Sequence, residues 1–125
     1  MRVLIHRNYA DAADWTARYL SGYIRERETE GRRFVLGLPT GSTPIGVYEN
    51  LVGMYRAGTL SFSNVVTFNM DEYVNLPEEH SKSYHRFMYH HLFEHIDIPQ
   101  GHIHILDGNA ADLEAECREY EQEIQ

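Results

Sequence analysis

Cysteine is almost missing from this chain: Cys117 stands alone among 125 residues. No disulfide can form within it, and the expectation is a reducing, cytoplasmic setting. No apolar run approaches the roughly 20 residues that a membrane helix requires, and the opening Met1-Arg2-Val3-Leu4-Ile5 is far too short for a signal peptide. Positive charge is scarce as well. Eleven lysines and arginines face 19 aspartates and glutamates, a formal net charge of −8 with a pI near 5.4. That balance disfavours nucleic acid and anionic membranes as partners. Neither common phosphate loop is present, since the chain has no G-x-G-x-x-G and no Gly-Lys-Ser/Thr. Eight histidines do not add up to a metal site. His90 and His91 diverge, His91 and His95 share an apolar helix face, and His102 and His104 lie on one strand face without a third ligand. No cysteine cluster or H-E-x-x-H pattern supports them. Repeats and low-complexity tracts are absent too.

What is present is enough apolar residue, 42%, for a single soluble globular domain with a real core. The stretch Val35-Leu36-Gly37-Leu38-Pro39-Thr40-Gly41-Ser42-Thr43-Pro44-Ile45-Gly46 organises the rest. Val35, Leu36 and Leu38 make a short apolar run, as in a strand covered on both faces. Pro39 cannot donate to a ladder and ends it. Gly41 permits a sharp turn, Thr43 is a good N-cap, and Pro44 suits the first helical position. The amides of Gly41, Ser42 and Thr43 then point out of a helix N-terminus, an arrangement suited to phosphate. One helix terminus gives an exposed anion only about 0.3–1 kcal/mol, so cationic help is normally required. Lys82 and Arg86, read as one turn apart on a helix and facing water, do not obviously supply it.

Around this stretch, strand and helix patterns alternate. Val3-Leu4-Ile5 reads as a first strand. A helix capped by Asn8 or Asp11 follows, with Ala13, Thr16, Leu20, Tyr23, Ile24 and Arg27 as its stripe and Gly31 as its stop. The helix after the turn carries Val47, Tyr48, Leu51, Val52 and Tyr55 on one face and stops at Gly58. Residues 65–70 form a β-branched and aromatic strand, and a long polar connection runs from Asp71 to His80. Ser81 or Ser83 starts a third helix, with Tyr84, Phe87, Met88, His91, Leu92 and His95 in its stripe. Ile103 to Leu106 make a further strand, and the turn Asp107-Gly108-Asn109 leads to a last helix lined by Leu113, Cys117, Tyr120 and Ile124. The simplest fold is α/β, a Rossmann-like parallel sheet with flanking helices. Ligands of such sheets sit beyond the carboxyl ends of the strands, so the Gly41–Pro44 turn and the pair Asp71 and Glu72 share a rim. A carboxylate there can serve as a general base. If the strand continues, Asp71 and Glu72 point opposite ways and only one faces the site; the plainer reading is that both are solvated loop carboxylates.

Residues 36–44, residues 66–73 (Val-Thr-Phe-Asn-Met-Asp-Glu-Tyr), Ser83-Tyr84 and Ile105-Leu106-Asp107-Gly108-Asn109, in this order, closely resemble glucosamine-6-phosphate deaminase. The resemblance covers essentially the whole chain. It implies an enzyme that opens the ring of glucosamine 6-phosphate, isomerises the aldose to a ketose and releases ammonia, leaving fructose 6-phosphate, with no metal or organic cofactor. It places the base that moves the C2 proton at Asp71, with Glu72 as a second catalytic candidate, and the phosphate turn at Gly41, Ser42 and Thr43. The family's chain is considerably longer, so these residues correspond to the amino-terminal part of a single sugar-phosphate isomerase/deaminase domain. The ring-opening histidine of the family's Asp-Gly-His segment has no counterpart among them. Two classes therefore stand side by side: an enzyme of this family, or a non-catalytic half-domain that binds sugar phosphate or pairs with another chain. An unpaired sheet edge and uncovered helix faces lead us to expect a homo-oligomer.

Overall fold

The computed structural model describes residues 3–125. Three parallel strands form one sheet in the order β1-β2-β3, with β1 at Phe34–Leu38, β2 at Val65–Asn69 and β3 at Ile103–His104. Four helices accompany them: α1 (Tyr9–Thr29), α2 (Ile45–Arg56), α3 (Tyr84–His91) and α4 (Leu113–Ile124). The α/β architecture is the expected one.

Local signals explain most boundaries. The Asn8 side chain accepts the Asp11 amide and starts α1; the Ser83 side chain accepts the Arg86 amide and starts α3. Gly31 and Gly58, both at positive φ, close α1 and α2. Leu36 and Leu38 on β1, Val65 on β2, Tyr48, Leu51 and Val52 on α2, Ile24 on α1 and Met88 on α3 build one core. Register is direct: Leu36 pairs with Thr67 and Leu38 with Asn69. The two strands therefore end side by side, and the turns that follow them emerge on one rim.

Several expectations need correction. Val3-Leu4-Ile5 does not form a strand: the segment is irregular, with Val3 66% and Ile5 93% exposed. A strand pattern cannot become a strand without a neighbour, and no strand of the described sheet pairs with it. The fully buried side of α1 is Ala13, Ala17, Ser21 and Ile24: Ala13 and Ile24 are as expected, Leu20 packs half-buried on the core, and Tyr23 is exposed instead of buried. Pro44, not Thr43, is the N-cap of α2, because its carbonyl accepts the first helical amides, from Val47 and Tyr48. The last pairing stops at His104 rather than Leu106, and α3 ends at His91, giving way to a 3₁₀ turn at Phe93–His95. Lys82 precedes α3 instead of lying on it. Of the α4 stripe only Tyr120 is buried.

Candidate functional site at the carboxyl rim of the sheet

Beyond Leu38, Pro39 and Thr40 lead into the turn Gly41-Ser42-Thr43, with Gly41 at φ +90°. That is left-handed backbone favouring glycine. Among the described residues the amides of Gly41, Ser42 and Thr43 donate to no protein group, and all three residues are exposed. They stand in front of α2, whose cap Pro44 offers no side-chain acceptor. The acceptor comes instead from α1. The Tyr9 hydroxyl takes the Gly46 amide at 2.8 Å and donates to the Thr43 carbonyl at 2.9 Å. It performs for α2 what an N-cap side chain normally does. Gly46 is required for this contact, since a Cβ there would lie 2.9 Å from the Tyr9 ring and hydroxyl. Beneath the turn, the Tyr48 hydroxyl donates to the Pro39 carbonyl at 2.5 Å. The turn is held from below and behind while its outward amides stay open.

The neighbouring turn follows Asn69. Asn69 is buried and its side-chain amide donates to the Leu38 carbonyl at 2.8 Å, locking the two strand ends together. Its own carbonyl accepts the Tyr120 hydroxyl at 2.7 Å, and Tyr120 also reaches the His104 carbonyl at 2.9 Å. Two residues on, Asp71 is exposed at the rim. Glu72 behaves differently: its side chain is only 3% exposed. Its carboxylate accepts the amides of Tyr73, Tyr84 and His85 and lies 2.8 Å from His85 Nδ1. Burial pushes its pKa up, but the three amides and His85 outweigh this, and the carboxyl ends below its ordinary value. The solvated reading of Glu72 is thus corrected, whereas Asp71 is the solvent-facing member of the pair.

The structure also gathers residues that local patterns did not single out. Tyr84, the first residue of α3, packs its ring 4.9 Å from that of Tyr73, with the hydroxyls 3.5 Å apart. Its phenol also interacts with the Thr40 side chain and the Asp71 charge. The Tyr73 hydroxyl pushes its pKa up, against Thr40, which pulls it down. Thr40, Tyr73 and Tyr84 therefore meet next to the Gly41 turn, within the field of Asp71. Behind them, Gly108 packs against the Asp71–Asn75 loop. Its carbonyl accepts the Asn75 amide at 3.0 Å, and a Cβ on it would fall 2.0 Å from the Tyr73 carbonyl oxygen. The motif Ser83-Tyr84 and the turn at Gly108 were visible in sequence, but not which loop they would meet.

Other hollows suit an anion less well. A groove of about 340 Å³ between α3 and β3 is lined by Glu78, Glu79 and Glu94, with Arg86 already paired to Glu94 at 2.9 Å. A second hollow, about 520 Å³, lies between α1 and the back of the turn and has mainly apolar walls such as Ala13, Pro39 and Val47. Among the described residues no three His, Cys, Asp or Glu side chains converge to hold a metal ion, and no helix is long and apolar enough to cross a membrane.

An open parallel sheet with free amides and an exposed carboxylate on its carboxyl rim defines a Rossmann-like α/β protein whose polar groups are concentrated where such sheets bind ligands. The pattern of the family described as Glucosamine-6-phosphate isomerases/6-phosphogluconolactonase matches residues 7–125, and the chain belongs to this family. It is 52% identical over 124 residues to glucosamine-6-phosphate deaminase of Caenorhabditis elegans, covering 99% of this chain and 46% of that protein. It is 53% identical over 125 residues to the deaminase of Pasteurella multocida, covering 99% and 47%. The solved structure of a monomeric glucosamine-6-phosphate deaminase superposes with a TM-score of 0.92 at 40% identity, over 99% of this chain and 50% of that one. A 6-phosphogluconolactonase from Thermotoga maritima shares the fold, with a TM-score of 0.76 at 24% identity, over 98% and 52%. The chain spans about half the length of the curated relatives it matches.

Proposed function

We propose that this chain supplies the phosphate cradle and the proton-moving carboxylate of a glucosamine-6-phosphate deaminase. In this reading residues 1–125 form the amino-terminal part of one sugar-phosphate isomerase/deaminase domain, and turnover belongs to a protein of the relatives' length. The observation that carries the reading is that three amides with no partner among the described residues, at Gly41, Ser42 and Thr43, lie on the same rim as exposed Asp71. The chain around them is more than half identical to deaminases along almost its full length.

The chemistry follows from the parts. The phosphate of glucosamine 6-phosphate rests on the amides before α2, where the helix terminus favours negative charge. Once the ring is open, the Asp71 carboxylate takes the C2 proton as the enol forms and returns it to C1. The enol carries the amino group on C2, so protonation at C1 leaves an imine at C2; water adds to that carbon, ammonia leaves, and the C2 carbonyl of fructose 6-phosphate remains. An exposed carboxylate just past a fixed strand end suits that task, because it is open to a substrate and its backbone is held by the strand pairing behind it. Glu72, with its acceptor sites filled by amides, is not free to take a substrate proton and serves the site indirectly. No cofactor enters this reaction. A cytoplasmic setting and assembly into a homo-oligomer belong to the same proposal. Exposed Val35 and Met70, on and just after the strands, support the assembly reading.

An NMR titration of the chain with inorganic phosphate tests the cradle. The resonances of Gly41, Ser42 and Thr43 amides move first and furthest if the reading is right. If they stay still while amides elsewhere shift, the phosphate site is misplaced.

A further inference from the structure

Glu72 follows the proposed base directly, yet it is bound into the protein more completely than any other carboxylate at the rim. One oxygen accepts the amides of Tyr73 at 2.7 Å and Tyr84 at 2.9 Å; the other accepts the His85 amide at 2.8 Å. Tyr84 and His85 open α3, whose own cap, Ser83, offers its side chain to the Arg86 amide and its carbonyl to the Phe87 amide, reaching neither of the first two. A single carboxylate thus staples the loop after β2 to a helix start 12 residues further along. What the staple carries into place is Tyr84, with its phenol against Tyr73 and Thr40 and in the field of Asp71. A carboxylate is the side chain that fits: it offers acceptors only, whereas an amide would turn an N–H toward one of the three donors.

We propose that Glu72 is a positioning residue, and that the Tyr84 hydroxyl it sets in place forms, with Tyr73, a site that reads the hydroxyl groups of a phosphorylated polyol. The proposal rests on the phosphate cradle described above. A sugar phosphate anchored there must extend its carbon chain from the cradle toward Asp71, and the two phenols stand beside that route. Each phenol can both donate and accept, as a hydroxylated chain requires. The cradle accounts for the phosphate and Asp71 for the proton; the tyrosine pair accounts for the preference for a sugar on the phosphate.

The test compares two ligands, fructose 6-phosphate and inorganic phosphate, titrated into the full chain while the Gly41–Thr43 amides are followed. The wild type binds fructose 6-phosphate about 3–10-fold more tightly than inorganic phosphate, the range expected for one net hydrogen bond. Tyr84→Phe and Glu72→Gln each bring that ratio close to one while leaving the affinity for inorganic phosphate unchanged, a result that general destabilisation would not produce. A ratio that survives both substitutions overturns the proposal. Equal binding of the two ligands by the wild type overturns it too, with the phosphate cradle intact. If neither ligand moves the cradle amides, the cradle itself falls, and this proposal with it. Hydrogen exchange in the unmutated chain checks the staple without relying on a variant's folding: the Tyr84 and His85 amides exchange slowly, and fast exchange there overturns the positioning role.

Discussion

The turn after β1 and the turn after β2 leave the sheet at paired positions, Leu38 opposite Asn69, yet they handle their polar groups in opposite ways. The first keeps its amides open and is braced from outside, by Tyr9 from α1 and Tyr48 from α2. The second divides its charge. Asp71 faces solvent, and Glu72, one residue on, is consumed by three amides and a histidine. Two carboxylates adjacent in sequence thus acquire different physical characters, and the difference lies in the supply of donors. Donors at the start of α3 converge on Glu72, and among the described residues no hydrogen-bond donor reaches Asp71. An ionised group becomes structural where the fold brings it amides, and stays available for chemistry where the fold leaves it in water.

The sharpest way to break this contrast is to remove the basicity of Asp71. In a protein of the relatives' length carrying this sequence, Asp71→Asn lowers kcat about 10²–10⁴-fold with a much smaller change in KM. Exchange of the C2 proton with solvent is lost in parallel. Isomerisation at a near-normal rate would place the base elsewhere. Next in size is Gly108→Ala. A methyl 2.0 Å from the Tyr73 carbonyl oxygen forces backbone apart, so unfolding by urea shows a loss of about 1–3 kcal/mol. An unchanged midpoint would mean that the loop yields without cost.

Acid titration sharpens the difference between the two carboxylates. The folded-state pKa of Glu72 lies below its ordinary value near 4.5, since the amides and His85 more than offset burial. A depressed carboxylate gives stability that is fully present above its unfolded pKa and is lost as pH falls through the folded value. The wild type therefore loses more stability than Glu72→Gln when the pH is lowered from about 5. Parallel acid limbs would show that the Glu72 charge is not what holds α3. The smallest effect belongs to the cap beside it: Ser83→Ala costs about 1 kcal/mol in thermal or urea unfolding, because the Arg86 amide loses its acceptor while Glu72 still holds the two before it.

Local chemistry made part of this legible in advance. Val35 to Leu38 and Val65 to Met70 read as strands because β-branched and apolar residues cluster between clear breakers. Asn8 or Asp11, and Ser81 or Ser83, read as helix starts because each carries a side-chain acceptor; the structure selects Asn8 and Ser83. The open amides of Gly41 to Thr43 followed from the strand–turn–helix pattern, and the family resemblance named the same positions. What stayed hidden depends on partners distant in the chain. Val3-Leu4-Ile5 carries a strand's composition, but pairing is a property of two segments and the described sheet gives it no neighbour. The fate of Glu72 depends on α3 returning to it, and that of Gly108 on the loop it meets. Tyr84 joined the rim for the same reason: nothing within a few residues of it reports that Thr40 is close.

Tyr9 carries a consequence for anyone who shortens or relabels this protein. The rim turn lies some 30 residues downstream, yet one phenol near the amino terminus closes the first turn of α2 and holds the Thr43 carbonyl. A derivative trimmed to Ala13 would keep every strand and all the rim residues and still lose the clasp that shapes their backbone. Iodination or nitration of that ring would have the same reach. The working edge of the molecule therefore begins at its ninth residue.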